Sequence, residues 1–186
     1  MTENPFRYGK SANLCSAAIK PRLKFLLSWI PELQEYGQIL DIGEVNTLRK
    51  ILQTQAIAKI VNTTGDLNWA MWEPMNQYPV VLCLEVLEHL QNPLNFLYQV
   101  RYRMRPGSIL YLTTPKESLK LLRMSDHFFE LDEYRLRSLF DLCGIFRVIE
   151  IQETKSNYPR SIFWRGLRPL LRALIQKSWA VKAVAI

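Results

Sequence analysis

Apolar residues fall into short unbroken runs, separated by stretches in which they recur every three or four positions. That pattern predicts strands alternating with helices. The runs are Gln38 to Ile42, Ala56 to Asn62, Val80 to Leu84 and Ile109 to Thr113. Between them, Leu48, Ile51 and Leu52 mark a helix begun by Asn46, while Leu94, Leu97, Val100 and Met104 mark another begun by Asn92-Pro93. Asparagine caps such starts and proline suits the first helical position. Upstream, Leu23, Leu26, Leu27, Ile30 and Leu33 predict a helical segment that Pro21 and Pro31 start and break. Downstream, Leu136, Leu139 and Phe140 predict a helix stopped by Gly144, and Phe146 to Ile151 alternates as a strand. The order of elements predicts an α/β fold, doubly wound on a mainly parallel sheet.

In open α/β sheets ligands bind beyond the carboxyl ends of the strands. Two acids fall there. Asp41-Ile42-Gly43 leads from the first strand into a helix N-terminus, a geometry suited to a nucleotide-like cofactor, because the glycine lets the backbone approach and helix amides point at the ligand. Glu85 closes the run that starts at Val80. A ribose is usually held by an acid some 20 residues beyond the first turn; Asn62 follows Asp41 by 21 residues and Asp66 by 25. Asp66 is favoured, since a carboxylate accepts two bonds; the alternative is an Asx turn that orders its own loop. His89 stands four residues after Glu85, on one face if the segment is helical, with Glu88 turned away. It is either a general base near neutral pH or part of a pair that orders the loop. Trp69 and Trp72 wall an adenine ring or fill the core, the second being the commoner use of aromatics.

Leu82 to Leu97, reading LCLEVLEHLQNPLNFL, followed by RPGSILYLTTP and preceded by ILDIG, resembles the class I S-adenosylmethionine-dependent methyltransferases, in the branch of the ubiquinone-biosynthesis O-methyltransferases. HFFELDEYRLRSLFDLCGIF extends the resemblance to the segment before the family's sixth strand. It implies a Rossmann-like sheet of seven strands, or six, because Asp66 to Tyr78 is short where the family fits another helix and strand. It implies S-adenosylmethionine as cofactor, held by Asp41, Gly43, Glu44, Asp66, Leu84 and Glu85, and methyl transfer to oxygen or nitrogen of a small-molecule or lipid-linked acceptor. His127, then Glu130, is expected at the acceptor, with His89 beside the transfer site, and the first helix covers either the sheet edge or the cofactor. The sequence departs from the family at Asp41-Ile42-Gly43-Glu44-Val45-Asn46-Thr47, where the second and third glycines of Asp-x-Gly-x-Gly-x-Gly are absent. Glu44 then either holds the cofactor's ammonium or narrows the pocket. A non-catalytic binding or scaffold protein on the same fold, recruited to a membrane through its C-terminal helix, is the alternative function.

Charge changes the picture only at the end of the chain. Of 24 basic residues, Lys155, Arg160, Arg165, Arg168, Arg172, Lys177 and Lys182 lie beyond residue 153, where there is no acid; the 17 left equal the 17 acidic residues. The chain is thus expected to divide into a neutral domain, 1–153, and a basic extension, 154–186. Ser161 to Trp164 is the candidate for a last antiparallel strand. Leu167, Leu170, Leu171, Leu174, Ile175 and Trp179 mark one face of a basic amphipathic helix. Packing on the domain, a homodimer contact and docking on an anionic membrane surface through residues 160–182 compete, with the membrane favoured. Nucleic acid is disfavoured, since no RNA-binding module accompanies the charge. Cys15, Cys83 and Cys143 with two histidines form no disulfide framework or zinc set, so no metal is predicted. No secretory signal pattern and no 18-residue apolar span are seen, and a cytoplasmic protein, peripheral on the inner membrane face, is the expected setting.

Overall fold

The computed structural model describes residues 16–35, 37–69, 72–119, 127–155 and 176–186. Among these residues four α-helices, α1 (Ser16–Trp29), α2 (Thr47–Gln55), α3 (Pro93–Tyr102) and α4 (Glu133–Cys143), surround six strands. These are β1 (Gln38–Ile42), β2 (Lys59–Asn62), β3 (Tyr78–Leu84), β4 (Met104–Pro115), β5 (Phe146–Lys155) and β6 (Lys177–Ala185). The caps are those the sequence predicts. Asn46 accepts from the Arg49 amide, Asn92 from the Asn95 amide, and Gly144 closes α4 at φ 65°.

The strands form one sheet in the order β2-β1-β3-β4-β6-β5. From β2 to β4 neighbours are parallel, and β6 runs antiparallel between β4 and β5. The chain leaves β1 first toward β2 and then crosses to β3 on the other side. That reversal opens a crevice beyond the carboxyl ends of β1 and β3. Side chains of β3 alternate between two core layers, as a strand buried on both faces requires. Val80, Leu82 and Leu84 pack with Leu23 and Leu26 of α1 and Leu48 and Leu52 of α2. Val81 and Cys83 pack with Phe96, Leu97 and Val100 of α3 and Leu136 and Phe140 of α4.

Among the described residues the sheet has six strands, the reduced form of the expectation. The connection from β2 to β3 is too short for a helix and strand, and Arg103 holds it down. This fully buried arginine stacks 3.5 Å from the Trp72 ring centre and donates to the carbonyls of Trp72, Pro74 and Gln99. Trp72 is therefore core, stacked on Phe96, while Trp69 is exposed. The α3 face also differs in detail: Leu94 is exposed and Met104 already belongs to β4, which begins before the Pro106-Gly107 turn.

The tail requires a larger correction. Lys177, Trp179 and Lys182, expected on a basic amphipathic helix, lie on β6. Trp179, Val181, Ala183 and Ala185 form one face at a period of two and are buried in the α3/α4 layer. Lys177 pairs with Glu153 of β5, and Lys182 lies over the Tyr111 ring at 5.2 Å. The last antiparallel strand is thus Lys177–Ala185, whereas Ser161 to Trp164 and the leucine-rich positions 167–175 lie outside the described residues. β5 runs through the expected division at residue 153, and β6 completes the same sheet, so the end of the chain is part of the domain. Among the described residues no helix is long and apolar enough to cross a membrane.

Candidate functional site

Asp41 is the last but one residue of β1, and its side chain is fully buried. Gly43 follows at φ 106°, a conformation that a side chain would strain, and its amide donates to Thr63 Oγ1 at 2.9 Å. Arg49, in the first turn of α2, folds back into this loop. Its Nε lies 2.8 Å from Asp41 Oδ2, its Nη1 donates to the Glu44 carbonyl at 2.8 Å, and its Nη2 donates to the Ile42 carbonyl. Asn62 Nδ2 donates to the same Asp41 oxygen at 3.3 Å. Burial raises the Asp41 carboxyl to about 6, against the lowering effects of Arg49 and then Asn62. Its other oxygen, Oδ1, is buried without a hydrogen-bond partner.

Glu85 stands at the end of β3, beside β1, in a left-handed conformation (φ 57°) that is uncommon for a side-chain-bearing residue. Its amide donates to the Thr113 carbonyl at 2.8 Å, which fixes the turn, and its carboxylate lies 3.4 Å from Arg22 of α1. Leu84 packs inward under α1. Glu44 is exposed and contributes its carbonyl to the Arg49 brace. Asp66 accepts from the Asn68 amide at 2.8 Å, forming the Asx turn that the sequence left open.

Leu87–His89 is a short 3₁₀ turn, not an α-helix. With three residues per turn, Glu88 points inward instead of away. It is buried, accepts from Thr114 Oγ1 at 3.2 Å and lies 3.9 Å from His89 Nε2. Burial, then the charge of Glu85, raises its pKa well above the usual carboxylate range. The Glu88 carbonyl also accepts from the amides of Phe128 and Phe129 at 2.7 and 3.3 Å. Those bonds dock the segment before α4 onto the turn, and the His89 and His127 rings meet edge to face at 4.9 Å. Glu130 Oε1 lies 2.9 Å from His127 Nδ1, and Ser118 Oγ donates to Glu130 Oε2 at 2.8 Å. Trp179 Nε1 donates to the Leu131 carbonyl at 2.9 Å, tying β6 to the same segment.

Two groups thus emerge along the edge: Asp41, Gly43 and Glu85 at the switch point, and His89, His127, Glu88 and Glu130 beyond β3 and β4. Glu88, His89 and His127 each present a donor atom within 4.8 Å of the others, close enough to share a metal ion, a grouping the sequence reading did not foresee. Arg22, Arg49 and Ser118 were also missed. Nothing in a lone arginine of an amphipathic first turn distinguishes one that folds inward from one that is solvated.

A sequence profile described as a methyltransferase domain matches residues 19–150. No curated protein matches the sequence. Among solved structures, the chain resembles the cyclase SpnF at 12% identity and a TM-score of 0.65, covering 98% of this chain and 85% of that one. It also resembles a putative methyltransferase from Bacillus halodurans at 13% identity and 0.57, covering 88% and 98%. An S-adenosylmethionine-dependent methyltransferase from Archaeoglobus fulgidus matches at 14% and 0.57, covering 89% and 94%. Identities this low establish the shared fold, while the profile, which spans more than half of the sequence, establishes the family. With its parallel sheet, antiparallel β6 and acids at the switch point, this chain belongs to the methyltransferase-domain family and is a class I, S-adenosylmethionine-dependent methyltransferase.

Proposed function

We propose that this chain methylates an oxygen or nitrogen of a small-molecule or lipid-linked acceptor, with His127 as the acceptor-side base. The observation that carries this reading is the His127–Glu130–Ser118 chain of hydrogen bonds at the strand-end edge. Opposite an ionised Glu130, Nδ1 of a neutral His127 carries the hydrogen and Nε2 keeps its lone pair, the form that accepts a proton.

The residues at the switch point fit S-adenosylmethionine. Asp41 and Glu85 give two carboxylates for a ligand that carries two cationic centres, the ammonium of its amino-acid end and, two methylenes beyond the ammonium-bearing carbon, a sulfonium, and Asp41 Oδ1 is a buried acceptor with no partner. When bound, the cofactor supplies an electrophilic methyl. Asp41, Gly43, Glu44, Leu84 and Glu85 would hold its methionine end, and Asp66, one loop away after β2, its ribose. His89 lies against His127 and helps to place it. Methyl transfer depends chiefly on in-line placement, so the base adds to a rate set mainly by orientation.

The test is a radiolabelled methyl-transfer screen over phenols, carboxylic acids, amines and their lipid-linked forms, repeated with His127→Ala. Turnover should fall about 100-fold or more, the usual contribution of a general base, with cofactor affinity unchanged. Undiminished turnover in His127→Ala would remove the base from the reading.

A further inference from the structure

The hollow of the β1–α2 turn is filled from within. A Cβ built on Gly43 would meet Arg49 Nη1 and Nη2 at 3.2 Å each and Val86 Cγ2 at 3.1 Å. The guanidinium therefore covers the face of the glycine at which a backbone usually receives its ligand. Its bonds to the carbonyls of Ile42 and Glu44 bracket Gly43 on both sides.

The pairing with Asp41 is close but incomplete. Nε lies 2.8 Å from Oδ2 yet makes no hydrogen bond, and Oδ1 has no hydrogen-bond partner although the residue is fully buried. A buried ion pair offsets its desolvation only when its remaining donors and acceptors are satisfied. This one leaves both a donor and an acceptor unmet, a poor end state for two charges removed from water. An ammonium has three donors and no fixed plane, and can serve both Asp41 oxygens where the guanidinium serves one.

We infer that Arg49 is a specificity-determining residue for the cofactor. It is an internal counter-cation seated on Asp41, which a ligand displaces only by bringing a cation of its own. The missing glycines and the inward arginine are then two parts of one device: a narrower turn whose hollow is held until an amino-acid end arrives. This rests on the methyltransferase reading of the site. A nucleoside without an ammonium cannot replace Arg49 and leaves it in place.

The experiment compares S-adenosylhomocysteine with 5′-methylthioadenosine, the same nucleoside lacking the amino-acid end, on the full chain and on Arg49→Met. Binding is read by calorimetry. In parallel, the Arg49 side-chain Nε–H signal of the wild-type chain is followed by NMR, assigned with Arg49→Lys. Arg49→Met should bind S-adenosylhomocysteine at least about 10-fold more tightly, a change of about 1.4 kcal/mol, and methylthioadenosine within about threefold of wild type. Saturating S-adenosylhomocysteine should move the Arg49 signal, and methylthioadenosine should not. Unchanged or weaker binding of S-adenosylhomocysteine to Arg49→Met would overturn the inference, as would an unmoved signal at saturation, while leaving the methyltransferase reading intact. Failure of both proteins to bind S-adenosylhomocysteine would overturn both. Should Arg49→Met not fold, the wild-type signal decides alone.

Discussion

Arg22 of α1 lies 3.4 Å from Glu85 at the end of β3, so the first helix reaches the same strand-end crevice that β1 and β3 open. Both strand-end acids are met by an arginine of the chain itself, Asp41 by Arg49 and Glu85 by Arg22. The Arg22–Glu85 pair is partly solvated, and Arg22→Ala should lower the unfolding free energy by less than about 1 kcal/mol in urea denaturation. A loss above about 2 kcal/mol would show that the pair braces the core.

Asp41 gives a pH signature whose sign follows from its burial. Its carboxyl is raised from 3.8 to about 6 in the folded chain. The native state thus holds this proton more tightly than the unfolded one. The contribution of the group to stability is complete below about pH 4, declines as the pH rises through about 6, and is lost above. Over that window it amounts to about 3 kcal/mol. Urea unfolding at a series of pH values should show a larger decline across this window in wild type than in Asp41→Asn, which keeps the contribution of the other raised carboxyl, Glu88. Parallel profiles would contradict it.

Arg103 should prove the most sensitive residue outside the site. Arg103→Met leaves the carbonyls of Trp72, Pro74 and Gln99 without their donor and should cost about 2 to 4 kcal/mol. Arg103→Lys should not restore it, since an ammonium cannot reproduce the planar stack on Trp72. Thermal unfolding of both variants checks this. Full rescue by lysine would reduce the role to charge.

β6 sits between β4 and β5, and its removal takes from β5 the strand it pairs with and bares one edge of β4, which keeps β3. A chain ending at Gln176 should be insoluble or lose its cooperative unfolding transition. A soluble truncated chain with wild-type circular dichroism and melting would show that the sheet closes without it.

The parts of this fold that announce themselves in the sequence are those where one period dominates. Val80 to Leu84 is apolar at every position because β3 is buried on both faces, and Asn92-Pro93 starts α3 by local chemistry alone. β6 stayed hidden because Trp179 continues the three-and-four spacing of the leucines before it, although its own partners, Val181, Ala183 and Ala185, follow a period of two. At the site, Asp41, Gly43 and Glu85 were legible as strand ends. Glu88 was not, because a 3₁₀ turn assigns faces differently from an α-helix. Arg49 was not, because its inward course depends on contacts with Asp41 and with the Ile42 and Glu44 carbonyls that only the folded turn brings together.

The central claim is that the crevice between β1 and β3 takes the methyl donor, and calorimetric titration of the full chain with S-adenosylmethionine and S-adenosylhomocysteine tests it most directly. The account predicts micromolar binding of both, weakened in Glu85→Ala by about 1 to 3 kcal/mol, the cost of removing one hydrogen-bonding partner. No binding of either ligand at millimolar concentration would contradict it.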